Sequence, residues 1–286
     1  YDNKMEFLNV PGLLEIFENI AKYLSTGDLF SFRCCSRLCK ELADLGLTKH
    51  KRLAMGFEED DVWECPPLAL QVIIEKCKAL QEIHIESIFI TDHHLHTLIS
   101  NNHHLKRVYM RNCYKITDEG FLTVLQCKKL KSLTTANCTD SFLEGLVRNN
   151  IFLEEINLDA CDISVGGFIS FIKQQPLLRY ILFPFCIEGE DVFEMSIRDV
   201  TDIISAVKSH CKNLEYICLP NYRDERYPGL LEDLAENCPK LKIISIPDTR
   251  KILMRTHLYF QSNKVRLINE NLDVYEFNGQ KSPSDL

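Results

Sequence analysis

The chain has 286 residues, enough for two average domains or for one long repeat array with a small module attached. Its apolar fraction of 45% and charged fraction of 26% are those of an ordinary globular protein, neither disordered nor fibrous. A formal net charge of −8 argues against nucleic acid as the main partner, and no apolar run approaches the roughly 20 residues of a membrane span.

Residues 1 to 9 are polar and read as a frayed end, with no cationic leader before an apolar segment and hence no secretory signal expected. Pro11 suits the first position of a helix, where a missing N–H costs nothing. Leu13, Leu14, Phe17, Ile20 and Leu24 follow at helical spacing. Ser25-Thr26-Gly27-Asp28 reads as a turn with capping side chains. Leu29, Phe30 and Phe32 open a second short helix, and a third is expected from about Cys35 to Leu45 with Leu38 and Leu42 inward. Three helices in about 40 residues bury too little to be robust alone, so this module is expected to lean on a partner or a neighbouring domain. We place its boundary at residues 1–45.

Residues 46–66 read as a connector, basic from Lys49 to Arg52 and acidic from Glu58 to Asp61, with both runs solvated. Trp63, the only tryptophan, is expected to cover the exposed end of the next segment, and Pro66-Pro67 stops the connector.

From there the chain repeats. The organising stretch is Leu153 to Ser164, in which Leu153, Ile156 and Leu158 have the spacing of a short inward-facing strand and Cys161 plugs the turn after it. Ile163 points back in, and a helical run with Phe168, Ile169 and Ile172 succeeds it. Equivalent leading leucines stand at 80, 105, 130, 153, 178, 214 and 241, mostly 23 or 25 residues apart. Cys77, Cys127, Cys211 and Cys238 precede a leading leucine by three; Cys113, Cys138, Cys161 and Cys186 follow one by eight. Ile116-Thr117-Asp118 with Gly120 forms an I-T-D-x-G segment, matched in part at Thr91-Asp92 and Thr139-Asp140. One strand-helix unit cannot bury its own apolar face, so these copies must stack.

This pattern resembles the cysteine-containing leucine-rich repeats, over about residues 68 to 250. It implies an α/β leucine-rich-repeat solenoid of about seven repeats, with parallel strands on a concave face and helices on a convex face. Its bounds are residues 67–268, including a closing cap around Tyr259, Phe260, Val265, Leu267 and Ile268, and residues 269–286 form a C-terminal tail. The N-terminal module resembles an F-box through Val10-Pro11, Leu14-Glu15-Ile16-Phe17, Tyr23-Leu24-Ser25, Asp28-Leu29, Arg33-Cys34-Cys35-Ser36-Arg37 and Glu41-Leu42-Ala43. An F-box directly before cysteine-type repeats is the layout of the F-box leucine-rich-repeat family. That resemblance implies a substrate-recognition subunit of an SCF (cullin–RING) ubiquitin ligase. The adaptor and cullin would be held through Pro11, Leu14, Ile16, Phe17, Leu24, Asp28 and Leu29. The rival reading is a leucine-rich-repeat scaffold that assembles a complex without any ligase.

A catalytic role finds no support in the residues. No phosphate-cradling glycine loop, nucleophile elbow or H-E-x-x-H helix occurs. His93, His94, His96, His103 and His104 read as a solvated face, since a structural zinc site wants a closed ligand set. The 13 cysteines fall mostly on the two repeat columns, where reduced thiols act as small apolar plugs. We expect no cofactor, no metal, no nucleic acid and no membrane, and a cytoplasmic or nuclear location. Asn137-Cys138-Thr139 is a glycosylation sequon on an inward column and is read as unmodified.

Recognition is therefore assigned to surfaces. Side chains alternating with the inward leucines should line the strand face. The early rows, such as Glu82-His84-Glu86 and Arg107-Tyr109-Arg111, are polar; Tyr180-Leu182 and Tyr216-Cys218 are aromatic and apolar. An insert of roughly ten residues after Cys186, with Phe193 at its centre, adjoins the apolar rows. The expected target site is Tyr180, Leu182, Tyr216, Tyr222 and Phe193. The competing reading has the C-terminal tail folded over these rows.

Overall fold

The computed structural model describes residues 12–21, 23–56, 67–87, 89–158, 161–183, 196–219, 224–246, 254–262 and 265–268. The chain divides into two compact units, Tyr1–Leu130 and Lys131–Leu286.

The first unit opens with three helices, α1 (Leu13–Ala21), α2 (Thr26–Arg33) and α3 (Arg37–Lys49). The turn before α2 is a capping box: the Ser25 hydroxyl accepts the Asp28 amide at 3.0 Å, and the Asp28 carboxylate accepts the Ser25 amide at 2.9 Å. Ser36 caps α3 in a similar way, accepting the Cys39 amide. α3 runs four residues past the expected end at Leu45, because Gly46 and Leu47 still face inward. A Cβ on Gly46 would come within 3.2 Å of Leu29 and 3.4 Å of Phe17 and Ala21, so glycine lets the three helices approach closely here. Phe17 and Phe32 stack at 5.5 Å, and Arg33 pairs with Asp44 at 2.6 Å, which joins α2 to α3.

The stretch read as a connector is partly regular structure: Arg52–Met55 forms strand β1. It pairs in parallel with β2 (Glu82–Glu86), which pairs with β3 (Arg107–Arg111). The polar run around Arg52 hides this strand from a pattern search, yet Leu53 and Met55 are buried at its alternate positions. Trp63 lies outside the described residues. Between the strands run α4 (Pro67–Lys76), α5 (Asp92–Asn101), α6 (Asp118–Leu122) and a 3-10 turn at Thr123–Gln126.

The second unit continues the alternation. Its strands are β4 (Ser132–Thr134), β5 (Glu155–Asn157), β6 (Tyr180–Leu182), β7 (Tyr216–Cys218), β8 (Ile243–Ser245) and β9 (Arg266–Ile268). Each pairs in parallel with the next in chain order. Its helices are α7 (Asp140–Arg148), α8 (Val165–Ile172), α9 (Ile197–His210), α10 (Tyr227–Asn237) and α11 (Met254–Ser262). The expected α/β architecture of stacked strand-helix units is thus present in both units. The segment expected to close the array is itself helix plus strand, and Phe260 and Val265 are buried in it.

The two cysteine columns are buried and reduced wherever described: Cys77, Cys127, Cys211 and Cys238 in one, Cys113, Cys138 and Cys161 in the other. Cys186 lies outside the described residues. Cysteine is missing from the first column at Asn102, Asn150 and Gln175, and of these Asn102 and Gln175 are buried. The Asn102 amide oxygen accepts the Leu80 N–H at 2.8 Å, and its NH2 donates to the carbonyls of Cys77 and Leu98. Gln175 repeats the arrangement further along the chain, accepting from Leu153 at 2.9 Å and donating to Ile151 at 3.0 Å. Each therefore ties its own repeat to the preceding one through backbone groups that burial would otherwise leave unsatisfied.

Candidate functional site

The N-terminal helices separate the expected adaptor contacts into three groups. Leu29 is fully buried and Phe17 nearly so, which places both in the module's own core. Leu14 and Leu24 are half-buried. Ile16 is 59% exposed, and Pro11 lies outside the described residues. Asp28 is exposed, with its carboxylate committed to capping α2. Hydrogen bonds from the Ser25 side chain and backbone hold its pKa below the usual carboxylate range.

The exposed apolar surface includes two residues absent from that expected set: Ile20 at 51% and Tyr23 at 89%. Ile16 and Ile20 are one helical turn apart on α1, so they share a face, and Tyr23 stands just beyond the helix end. The sequence carried that signal in the spacing of 16, 20 and 23. It could not be told from the spacing of Leu14, Phe17 and Leu24, because apolar residues recur around most of so small a module. Three large apolar side chains presented close together in the chain make a surface suited to burial against another protein.

The strand face differs from expectation in its burial. Tyr180 and Tyr216 are buried, at 5% and 1% exposure, and Leu182 is half-buried. They form one cluster with Cys218 and Ile243, against which Leu182 and Ile268 pack. The polar rows are also largely enclosed: His84, Ser132, Thr134, Asn157 and Ser245 are all buried. Phe193 and Tyr222 lie outside the described residues. The rule of alternation correctly separates the two faces of each strand, but it does not say which face solvent reaches.

Charges on these strands are matched to one another. The Glu82 carboxylate accepts from His84 Nε2 at 2.7 Å and lies 3.3 Å from Arg107 and 3.8 Å from Arg52. Burial alone would raise its pKa, but the hydrogen bond from His84 and the charges of His84, Arg107 and Arg52 outweigh burial and hold it at about 2. In the second unit Lys131, Glu154, Arg179, Glu215 and Lys242 form an alternating ladder, with contacts of 2.5, 3.8, 2.7 and 2.7 Å in that order. A shallow cleft beside it is lined by Glu154, Leu177, Arg179, Asn213, Glu215 and Lys240, so its carboxylates are already neutralised.

Among the described residues no group of three or more His, Cys, Asp or Glu side chains could hold a metal ion. Burial pushes the thiols of Cys77, Cys113 and Cys211 up to about 12 and those of Cys127 and Cys238 to about 11, the reverse of what a nucleophile needs. Among the described residues no helix is long and apolar enough to cross a membrane.

Comparison with known proteins bears on the N-terminal module. Residues 14–49, which span most of α1 and all of α2 and α3, match the family model of the F-box domain. No curated protein matches the sequence. Among solved structures, this chain is similar to a chain in the crystal structure of the Rad7 and Elc1 complex in yeast. The identity is 14%, the TM-score is 0.41, and the match covers 90% of this chain and 93% of that one.

Proposed function

We propose that this chain is a non-catalytic substrate-recognition subunit of an SCF-type ubiquitin ligase. Its F-box domain would hold the S-phase-kinase-associated adaptor, and through it the cullin, while the leucine-rich repeats of the cysteine-containing type hold a protein target. The observation that carries this reading is the exposed apolar edge of Ile16, Ile20 and Tyr23 on a module matched to the F-box domain. Its core residues, Phe17, Leu29, Leu42, Ala43 and Leu47, are buried within the module, so this edge is left over for a partner. Leu14, Leu24 and Pro11 would border the same contact.

For the target, the strand face of the second unit is the proposed site, with Leu182 as its reachable contact and Tyr180 and Tyr216 supporting it from beneath. Phe193 and Tyr222 would complete that site.

The test is co-purification of the full chain with the adaptor and cullin. The variant Ile16→Asp/Ile20→Asp/Tyr23→Ala is expected to lose adaptor capture while its melting temperature stays within a few degrees of the parent, since exposed positions contribute little to stability. Leu29→Ala is unsuitable for this purpose, because emptying a fully buried leucine site costs about 2–5 kcal/mol and can unfold the module. Failure of the parent chain to capture the adaptor would overturn the ligase reading in favour of a scaffold.

A further inference from the structure

The connections that lead from each helix into the next strand differ sharply in charge along the chain. In the first unit they are residues 49–51 (KHK, counting the last residue of α3), 77–81 (CKALQ), 102–106 (NHHLK) and 127–130 (CKKL, which continues in the chain to Lys131 of the second unit). The chain carries 41 acidic residues, and not one falls in these four connections, which hold Lys49, Lys51, Lys78, Lys106, Lys128 and Lys129 together with three histidines. All six lysines are exposed, as are His103 and His104. Among the described residues, the ammonium groups of Lys51, Lys78, Lys106 and Lys129 have no carboxylate partner. Glu82, the acid nearest in sequence on β2, is already engaged by His84, Arg107 and Arg52.

The fold does not demand this. The equivalent connections of the second unit carry Glu154 and Glu215, each paired with Lys or Arg from a neighbouring connection. The first-unit connections are also rigidly joined. Lys106 and Arg107 both donate their amides to the Gln81 carbonyl, and Gln81 and Glu82 both donate to the Lys51 carbonyl. Asn102 fastens the second connection to the third through its bonds to Leu80 and Cys77. Lys51, Gln81 and Lys106 therefore stand side by side at the strand spacing of about 4.8 Å, two rows apart for the lysines.

We propose that this rim is a docking strip for an extended acidic segment of a partner protein. The lysines of these rows can meet carboxylates that recur about every 6.6–6.8 Å along an extended chain, since their long stems adjust for the difference in spacing. Nucleic acid fits less well, because the four connections contain no Phe, Tyr or Trp on which a base could stack. A membrane surface fits less well too, since the leucines of these connections, Leu80, Leu105 and Leu130, are buried and offer nothing to insert. Basic groups just after a helix also favour that helix through its dipole. That alternative predicts a loss of stability, not of binding, when they are reversed.

The inference stands independently of adaptor binding. Its test is fluorescence anisotropy of a labelled peptide of alternating Glu and Ser, titrated with the full chain at low ionic strength, beside a Gln/Ser control peptide and an oligo-dT strand. The acidic peptide should bind and be released by added salt. Lys78→Glu/Lys106→Glu should weaken it about tenfold or more, while Arg148→Glu/Lys173→Glu, an equal change in net charge on exposed positions of the second unit, should change it less than about threefold. Equal effects of the two pairs, tighter binding of the oligonucleotide, or no binding of the acidic peptide would each overturn the proposal. Adaptor capture should be unchanged in both variants, which separates this result from the fate of the receptor reading.

Discussion

Asn102 shows how a single polar side chain can hold a position otherwise given to cysteine. In the first unit the column residue faces the amide of the preceding leading leucine. Cys127 holds the same place one repeat on, where its thiol makes a long contact of 4.0 Å with the Asn102 carbonyl, whereas Asn102 accepts the Leu80 amide at 2.8 Å. A thiol is a weak acceptor, whereas the asparagine amide satisfies one N–H and two carbonyls at once. Asn102 is buried, so its partners have no water to turn to. Asn102→Ala is expected to cost about 2–3 kcal/mol in urea unfolding, because it strands buried backbone groups. Asn102→Cys should cost clearly less, since sulfur restores an acceptor for Leu80. Equal losses in the two variants would show that the stranded carbonyls matter and the Leu80 amide does not. The columns themselves were readable from spacing, but the staple was not. A gap in a cysteine column looks like simple divergence until the side chain's three partners are located.

At the level of the element, the I-T-D-x-G segment acquires a mechanical reason. Asp92, the first residue of α5, accepts both the amide and the hydroxyl of Thr117 at 2.8 Å, and Thr117 is the N-cap of α6 in the next repeat. Asp140 does the same for Ser164, the cap of α8, at 2.9 and 2.5 Å. The carboxylate lies where a side chain three residues after the cap would sit. A Cβ on Gly120 would fall 2.1 Å from Asp92 Oδ1, and one on Gly167 2.2 Å from Asp140 Oδ1. Glycine is required there for the close approach, not for its backbone freedom. Gly120→Ala is expected to cost about 2–3 kcal/mol, from the clash and the weakened cap. Asp92→Ala/Gly120→Ala should cost less than the sum of its single changes, because removing the carboxylate removes the clash. Gly229 in α10 is the control. Nothing lies within 4 Å of its Cβ position, so Gly229→Ala should be neutral or stabilising by about 0.5 kcal/mol in the same unfolding measurement. The motif was visible in the sequence at full strength once, at Ile116 to Gly120. Its second instance, Asp140 with Ser164 and Gly167, keeps only the isoleucine, the capping hydroxyl and the glycine of that segment, at Ile163, Ser164 and Gly167.

Across the whole chain, legibility depends on how information is stored in it. Stacked repeats place their inward residues at a nearly fixed interval, so the leucines at 80 to 241 and both cysteine columns announce the strands by spacing alone. Solvent exposure has no such period. That is why Ile16 and Leu29 read alike although one is exposed and the other fully buried, and why Tyr180 and Tyr216 read as open although both are enclosed. The buried thiols carry the same logic into a property of the entire molecule. An ordinary thiol titrates near 9.0, but burial holds Cys77, Cys113 and Cys211 at about 12 and Cys127 and Cys238 at about 11. Above pH 9 the unfolded chain releases these protons while the folded chain keeps them. The unfolded state then binds fewer protons, so stability must fall as pH rises. The contribution is complete below about pH 9 and is lost progressively between 9 and 12, at up to about 1.4 kcal/mol per pH unit for each thiol. Tyrosines and lysines titrate in the same range, so the comparison must be between the parent and a variant lacking one thiol. Cys77→Ala should be less stable than the parent by a constant amount up to about pH 8.5, then converge on it as pH climbs, because its curve lacks one proton's slope. Urea unfolding in the presence of reductant, at steps from about pH 7.5 to 10.5, reads this directly. Parallel curves over the whole range would mean that the Cys77 thiol ionises in the folded chain as readily as in the unfolded one, and that the column is open to solvent.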